Sequence, residues 1–346
     1  PNIMNKLEKL LQQKPYILAD GATGTNLFSM GLQAGDPPEP WNILHTERVR
    51  KLHQGFVDSG SDIFLTNSFG CTSFRLRLHK FEKQVFDLNR AAAKIAREVA
   101  DSTDRTVIVA GSMGPTGEMI EPHGSMTTKE AMLAFREQAE GLVEGGVDAL
   151  WLETMYSIEE LEVAVEAVQG FNLPVCATMS FDTAGKTMMG FTPSNLAVRA
   201  EELGLFGFGA NCGVGASDLL ATITDISRNV EKGKTVIAKA NCGIPEYRNG
   251  EIVYTGTESL MADYVHLALN SGAKIVGGCC GTTFRHVAAM RKAMDEHQMG
   301  SPPSIDEVID RMGEMSQGSK SIYSNKTHNP TNQRSRRRHK KQNNSN

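Results

Sequence analysis

The chain has 346 residues, 40% hydrophobic and 22% charged, a globular composition with length enough for a sizeable core. No apolar run approaches the roughly 20 residues that span a bilayer and no signal-peptide pattern opens the chain, so a cytoplasmic location is expected. All 40 acidic residues precede residue 315, whereas eight of the 36 basic ones follow it; residues 1–314 therefore sum to −12 and offer no broad surface for nucleic acid.

Eight short apolar segments recur along the sequence, each ending in small or chemically active residues. The first, Tyr16–Asp20, runs into Asp20-Gly21-Ala22-Thr23-Gly24-Thr25. That loop lacks the GxGxxG spacing with which a doubly wound sheet would bind a phosphate. A helical stretch follows at Thr46–Ser59, with Val49, Leu52, Phe56 and Val57 on one face. The second and third segments are Asp62–Asn67 and Val107–Gly111, the latter leading into Gly111-Ser112-Met113-Gly114-Pro115-Thr116-Gly117. A helix is predicted over Thr128–Glu144, starting at Thr127 or Thr128, with Met132, Phe135, Ala139 and Leu142 facing inward. After the fourth segment, Ala149–Glu153, Ser157 and Glu160 predict a capping box. Val175–Ser180, Gly207–Cys212, Val236–Asn241 and Ile275–Cys280 complete the series. Strand–helix alternation implies a parallel sheet, and eight repeats over roughly 280 residues predict an α/β fold, a (β/α)8 TIM barrel, within residues 1–314. Residues 315–346 are polar and basic, ending in Arg334-Ser335-Arg336-Arg337-Arg338-His339-Lys340-Lys341, and read as a flexible or partner-docking extension.

In such barrels the active site gathers at the C-terminal ends of the strands. Here those ends carry Asp20, Asn67, Glu153, Cys212, Asn241, Cys279 and Cys280. Cysteine is commonly a small buried hydrophobe, a reading that suits Cys71 and Cys176. Cys212, Cys279 and Cys280 differ because all three fall beside glycines at one expected rim. Side chains alternate along a strand, so the adjacent pair requires the strand to have broken before Cys280. Three thiolates suit Zn²⁺ and leave a tetrahedral ion one ligand short, as catalytic sites do; Cys242 is the candidate for a closed, structural alternative. Asp20 and Glu153 could bracket an α-ammonium group, with the Gly21 and Ala22 N–H groups for a carboxylate and Asn67 beside them. A glycosidase acid pair is the competing use of two carboxylates, but it leaves the cysteines unexplained. Lys239, near a strand end, could form a Schiff base if its pKa were depressed, although such a lysine is more often half of an ion pair. Trp41, in the loop after the first strand, and Phe69 are candidate faces for a cationic donor, weighed against ordinary packing.

Taken together, Asp20-Gly21-Ala22-Thr23-Gly24-Thr25, Leu65-Thr66-Asn67-Ser68-Phe69, Glu153-Thr154, Gly209-Ala210-Asn211-Cys212 and Gly277-Gly278-Cys279-Cys280-Gly281 resemble the homocysteine S-methyltransferase family. The resemblance runs from about residue 15 to 297 and is greatest to bacterial betaine–homocysteine methyltransferases. It implies that Cys212, Cys279 and Cys280 bind zinc with the homocysteine thiol in the open position. It also implies that Asp20 and Glu153 hold the substrate amine. The partners expected are homocysteine and a small methyl donor, with no membrane or nucleic acid and with room for a homo-oligomer. Glycine betaine is the leading donor. Gly70 and Thr154 stand where the animal betaine enzymes carry tyrosines, which leaves room for a sulfonium donor such as dimethylsulfoniopropionate. The alternatives are an S-methylmethionine or S-adenosylmethionine user and a non-catalytic zinc barrel that binds amino acids. The folate and cobalamin domains of the long methionine synthases have no counterpart within these residues, which argues against that donor system.

Overall fold

The computed structural model describes residues 4–324. Its ten strands are β1 Ile17–Leu18, β2 Ile63–Leu65, β3 Ile108–Met113, β4 Ala149–Met155, β5 Val175–Met179, β6 Gly207–Cys212, β7 Thr235–Ala240, β8 Pro245–Arg248, β9 Glu251–Tyr254 and β10 Ile275–Gly278. All but β8 and β9 form one parallel sheet in the order β1-β10-β7-β6-β5-β4-β3-β2. With helices between successive strands this is the (β/α)8 barrel, and each of the eight apolar segments of the sequence supplies one barrel strand. Helices Thr46–Asp58 and Thr128–Gly145 lie where the periodicity puts them, the second capped by the Thr127 hydroxyl accepting the Glu130 N–H at 3.0 Å.

The barrel closes between β1 and β2 without a ladder. Asp62 N–H donates to Leu18 O at 2.7 Å, and the Asp62 carboxylate accepts the Leu18 N–H at 2.9 Å. Further along the seam the Asp20 carboxylate accepts the Leu65 N–H at 3.0 Å. Two aspartate side chains thus replace main-chain carbonyls as acceptors, which a two-residue strand is too short to supply. Asp62 is fully buried and neutralised by Lys14 at 2.9 Å, Arg105 at 3.4 Å and Arg291 at 2.9 Å. Inside the barrel Ile17, Ile63, Ile108, Trp151, Ile237 and Ile275 pack in one cluster, which Leu7 and Leu10 of helix Lys6–Gln13 join. The interior is therefore a filled core and the chemistry is left to its rim.

Three local features depart from the sequence reading. Ser157 does cap its helix, accepting the Glu160 N–H at 3.3 Å, but the reciprocal half of the box is missing. The Glu160 carboxylate turns instead to Thr116, accepting its N–H at 2.8 Å and its hydroxyl at 3.2 Å, and so fastens the loop after β3. Burial pushes Glu160 up to about 7, against the pull of those two hydrogen bonds. Second, β8 and β9 form an antiparallel hairpin between β7 and the helix Glu258–Asn270. Its turn is Asn249-Gly250, with φ of 50° and 80°, the pair of left-handed residues that a tight hairpin needs. Third, the packed body continues past residue 314. Helix Gln317–Ser324 lies on the barrel, where Tyr323 is buried beneath Arg228 and donates to Pro303 O. Gly318 abuts the backbone of Ala184, so a Cβ there would collide with it. The basic cluster Arg334–Lys341 lies outside the described residues.

Candidate active site

The strand β10 ends at Gly278, and the chain then breaks away from regular pairing. Cys279 N–H donates to Ala240 O at 2.6 Å, Cys280 N–H to the Asn241 side chain at 3.2 Å, and Gly281 turns with φ of 79°. That break lets two adjacent cysteines face one point, as the sequence required. Cys212, last in β6, reaches the same point by adopting a φ of 55°, a left-handed conformation uncommon outside glycine. The three sulfurs all lie within 4.8 Å of one another, and Cys212 Sγ is 2.7 Å from Cys279 Sγ. Hydrogen bonds from Cys212 and Cys279 lower Cys280, whereas Cys212 is raised as the donor to its neighbours. This all-sulfur donor set fits a soft, tetrahedral cation such as zinc.

Cys242 stays out of the cluster. Its thiol donates to Gly256 O at 3.2 Å and its N–H to Cys280 O at 2.9 Å, so it braces the ligand loop from behind. Cys71 and Cys176 are buried as expected. The Asn211 amide, which the sequence reading passed over, donates to Thr154 Oγ1 at 2.7 Å and points at the sulfurs of Cys212 at 3.5 Å and Cys279 at 3.8 Å. Tyr254 of the hairpin hydrogen-bonds Cys280 from the other side.

The carboxylates are arranged differently from a simple bracket. Lys239, fully buried, sits between them with Nζ 2.7 Å from Asp20 Oδ1 and 3.8 Å from Glu153 Oε1. Burial alone would depress Lys239, but the two carboxylates outweigh it and hold the amine above its ordinary value. That is opposite to what a Schiff-base lysine needs. Asp20 has one oxygen engaged by Lys239 and the other by the Leu65 N–H, and it does not line the cavity. Glu153 does. An irregular register between β4 and β5, with Thr154 at φ of 59°, turns both Glu153 and Thr154 toward the cavity, which a regular strand could not do. Burial raises Glu153 to about 7 despite Lys239, and its Oε2 accepts from Ser112 at 3.2 Å.

The cavity above these groups encloses about 650 Å³. Its inner half holds the three cysteines, Glu153, Thr154 and Lys239, with Gly21 and Ala22 beside them. The Ala22 N–H is already given to Thr282 O at 3.0 Å. Asn67 lines the wall, but its amide ties the loops together, donating to Pro38 O at 2.9 Å and Asn42 Oδ1 at 3.0 Å. The outer half is walled by Phe28, Glu39, Phe69, Arg75, Leu78 and His79. Phe69 is thus placed at the cavity, about one-third exposed. Trp41 is not: its ring is buried against His45 and covered by the Arg48 guanidinium at 4.9 Å, so its face is already used. No helix among the described residues is long and apolar enough to cross a membrane.

Comparison with known proteins yields consistent matches. The sequence profile of the homocysteine S-methyltransferase family matches residues 17–294. Methionine synthase of Mycobacterium tuberculosis is 28% identical over 312 residues, covering 84% of this chain and 26% of that protein. Methionine synthase of Mycobacterium leprae is likewise 28% identical, covering 86% and 26%. The chain therefore spans about a quarter of the length of these curated relatives. Among solved structures, the metallated homocysteine methyltransferase MmuM from Escherichia coli superposes with a TM-score of 0.70 at 20% identity, over 83% of this chain and 99% of that one. A methyltransferase from Methanosarcina mazei gives 0.55 at 12%, over 84% and 97%. At these identities the structural likeness speaks for the barrel alone.

Proposed function

The chain belongs to the homocysteine S-methyltransferase family, and we propose that it makes methionine by zinc-dependent transfer of a methyl group from a small onium compound to homocysteine. The observation that carries this reading is the convergence of three sulfurs on the floor of a cavity that also holds Glu153. Cys212, Cys279 and Cys280 would hold the zinc. Bound there, the ion would keep the homocysteine sulfur as a thiolate at neutral pH, where a free thiol of pKa about 8.5 is mostly protonated.

The remaining residues bind and orient. Lys239 lies 2.7 Å from Asp20 and 3.8 Å from Glu153, so its one positive charge is committed to Asp20 and Glu153 is the acid left to gain from a further cation. A substrate ammonium would supply it, with Glu153 as the carboxylate that faces the ligand and Asp20 acting through Lys239. Such a cation would also lower Glu153 and stabilise its charged form. Gly21, Ala22 and Asn67 would shape the substrate end of the floor. Methyl transfer joins the homocysteine sulfur to the donor's methyl carbon while the bond from that carbon to the onium centre breaks. The electron pair returns to the donor's nitrogen or sulfur, which leaves neutral. No general base is needed, because the thiol proton is lost before the transfer.

Glycine betaine is the donor we favour, with dimethylsulfoniopropionate as its sulfonium counterpart. Both are compact cations carrying a carboxylate, and Phe69 offers such a cation an aromatic face. The test offers betaine, dimethylsulfoniopropionate, S-methylmethionine and S-adenosylmethionine in turn, each with homocysteine, to protein of measured zinc content. Methionine formed from the first two at stoichiometric zinc is the expected result. Methionine formed only from the last two would move the donor assignment, and none from any donor would leave a binding barrel without turnover.

A further inference from the structure

The outer half of the cavity contains two charged groups that are not paired with each other. Glu39 is 4% exposed and lines the wall, with Oε1 accepting the Gly70 N–H at 2.7 Å. Arg75, on the short helix Ser73–Leu76, is half-buried and lines the same wall. Its guanidinium lies along Gly117, and it has no ion pair or side-chain hydrogen bond among the described residues. Arg75 and Glu39 are close enough for the guanidinium to lower the Glu39 carboxyl, which burial otherwise raises, yet no ion pair joins them. His79 and Asp36 complete the charged lining of this half.

A half-buried guanidinium with no acceptor among the described residues, and a buried carboxylate held by backbone N–H groups with no cation in contact, each gain from a partner of opposite charge. Two such groups of opposite sign, on one cavity wall and not in contact, are matched by a ligand that brings both charges. We infer that Glu39 and Arg75 form the subsite for a zwitterionic methyl donor, Arg75 taking its carboxylate and Glu39 facing its onium centre. The inference rests on the methyl-transfer reading and names what that reading leaves open, the groups that select the donor. Phe69 stands on the segment next to Gly70, so the aromatic face and the Glu39 carboxylate would act on one cation. The planar guanidinium suits a carboxylate bidentately, which lysine cannot reproduce.

The test separates the two charges with ligands that carry one charge each. 3,3-Dimethylbutanoate has the shape and carboxylate of glycine betaine without its cation, and tetramethylammonium has the cation without the carboxylate. Binding of both, of betaine and of homocysteine is measured calorimetrically on the zinc-loaded protein, one ligand at a time. Arg75→Gln is expected to weaken betaine and 3,3-dimethylbutanoate by about 10- to 100-fold and to leave tetramethylammonium and homocysteine within about twofold. Glu39→Gln keeps an oxygen for the Gly70 N–H and is expected to do the reverse, weakening betaine and tetramethylammonium only. Arg75→Lys, should the glutamine variant fold poorly, is expected to recover only part of the carboxylate affinity. The subsite is overturned if Arg75→Gln weakens homocysteine instead of betaine, which would give the guanidinium to the substrate's own carboxylate. It is equally overturned if neither variant alters any of the three ligands, or if the wild-type protein binds none of them. Binding that depends on Arg75, with no methionine formed from any donor, would uphold the subsite and refute the proposed reaction.

Discussion

At the residue scale the site is organised around charges and sulfurs that hold one another. The cysteines could be found from sequence because two thiols among glycines at a strand end have few packing uses. Asp20 and Glu153 were recognisable as strand-end acids, but not that Lys239 lies between them, since side-chain reach across a barrel is not encoded by spacing. Asn211 lay within a motif that was read, yet its part shows only once its amide is seen against two sulfurs. Removing that amide should free the sulfurs it orients. Asn211→Ala is expected to lower zinc affinity by about 10- to 100-fold, measured by competition with a chelator, and Cys279→Ala by more. Glu153→Gln should raise the homocysteine KM by about 10-fold or more, with zinc content unchanged, because a charge-assisted contact is lost while the ligands remain. Steady-state kinetics on metal-loaded protein decide this; an unchanged KM would remove Glu153 from the substrate.

At the element scale, helix starts were read at Thr127 and Ser157, where a hydroxyl caps its own helix. The hairpin was also within reach, since Asn249-Gly250 ahead of the apolar Ile252-Val253-Tyr254 is a strong turn signal. What local rules could not give is the use of Glu160, drawn from its helix to the loop after β3 by a tertiary partner. Its folded-state value of about 7 stands above the ordinary 4.5. Between those values the folded chain binds the extra proton, so stability falls as pH rises and levels off above about 7. Relative to Glu160→Gln, the wild-type protein should lose on the order of 3 kcal/mol between pH 4.5 and 7.5, read from urea midpoints across that range. A difference that does not vary with pH would show that Glu160 is charged throughout. Gly318 tests the terminal helix in the same way. Because a Cβ would meet the Ala184 backbone, Gly318→Ala should cost about 1–3 kcal/mol and expose Tyr323 to solvent, seen as altered tyrosine fluorescence.

For the whole molecule, alternation of apolar segments and amphipathic stretches was enough to identify the barrel, because each segment is continuous and ends in residues unsuited to a core. The seam was not legible. Nothing in Asp62–Asn67 says that a carboxylate will serve as a strand acceptor while receiving three cations. Asp62→Ala leaves those cations without their anion and the Leu18 N–H without its acceptor, and should cost about 3–5 kcal/mol. Denaturant unfolding checks the loss, and zinc content of the surviving folded protein is expected to stay unchanged because Asp62 belongs to the seam and lies outside the cysteine cluster. Residues 315–324, read from sequence as part of an extension, pack on the body instead, since burial of Met315, Ser319 and Tyr323 depends on a barrel surface that sequence composition does not display.

Asp20 performs two tasks with its two oxygens, fastening β2 to the end of β1 and neutralising Lys239. A mutation that altered the charge of the inner cavity there would also loosen the wall, so selection against misfolding guards the sulfur-handling half. Glu39, Phe69 and Arg75 fasten no barrel strand, Glu39 holding only the Gly70 N–H of a neighbouring loop, so change among them would leave the seam in place. Under the proposed reaction, one methyl source could then be exchanged for another through two loops without disturbing the acids that hold the seam.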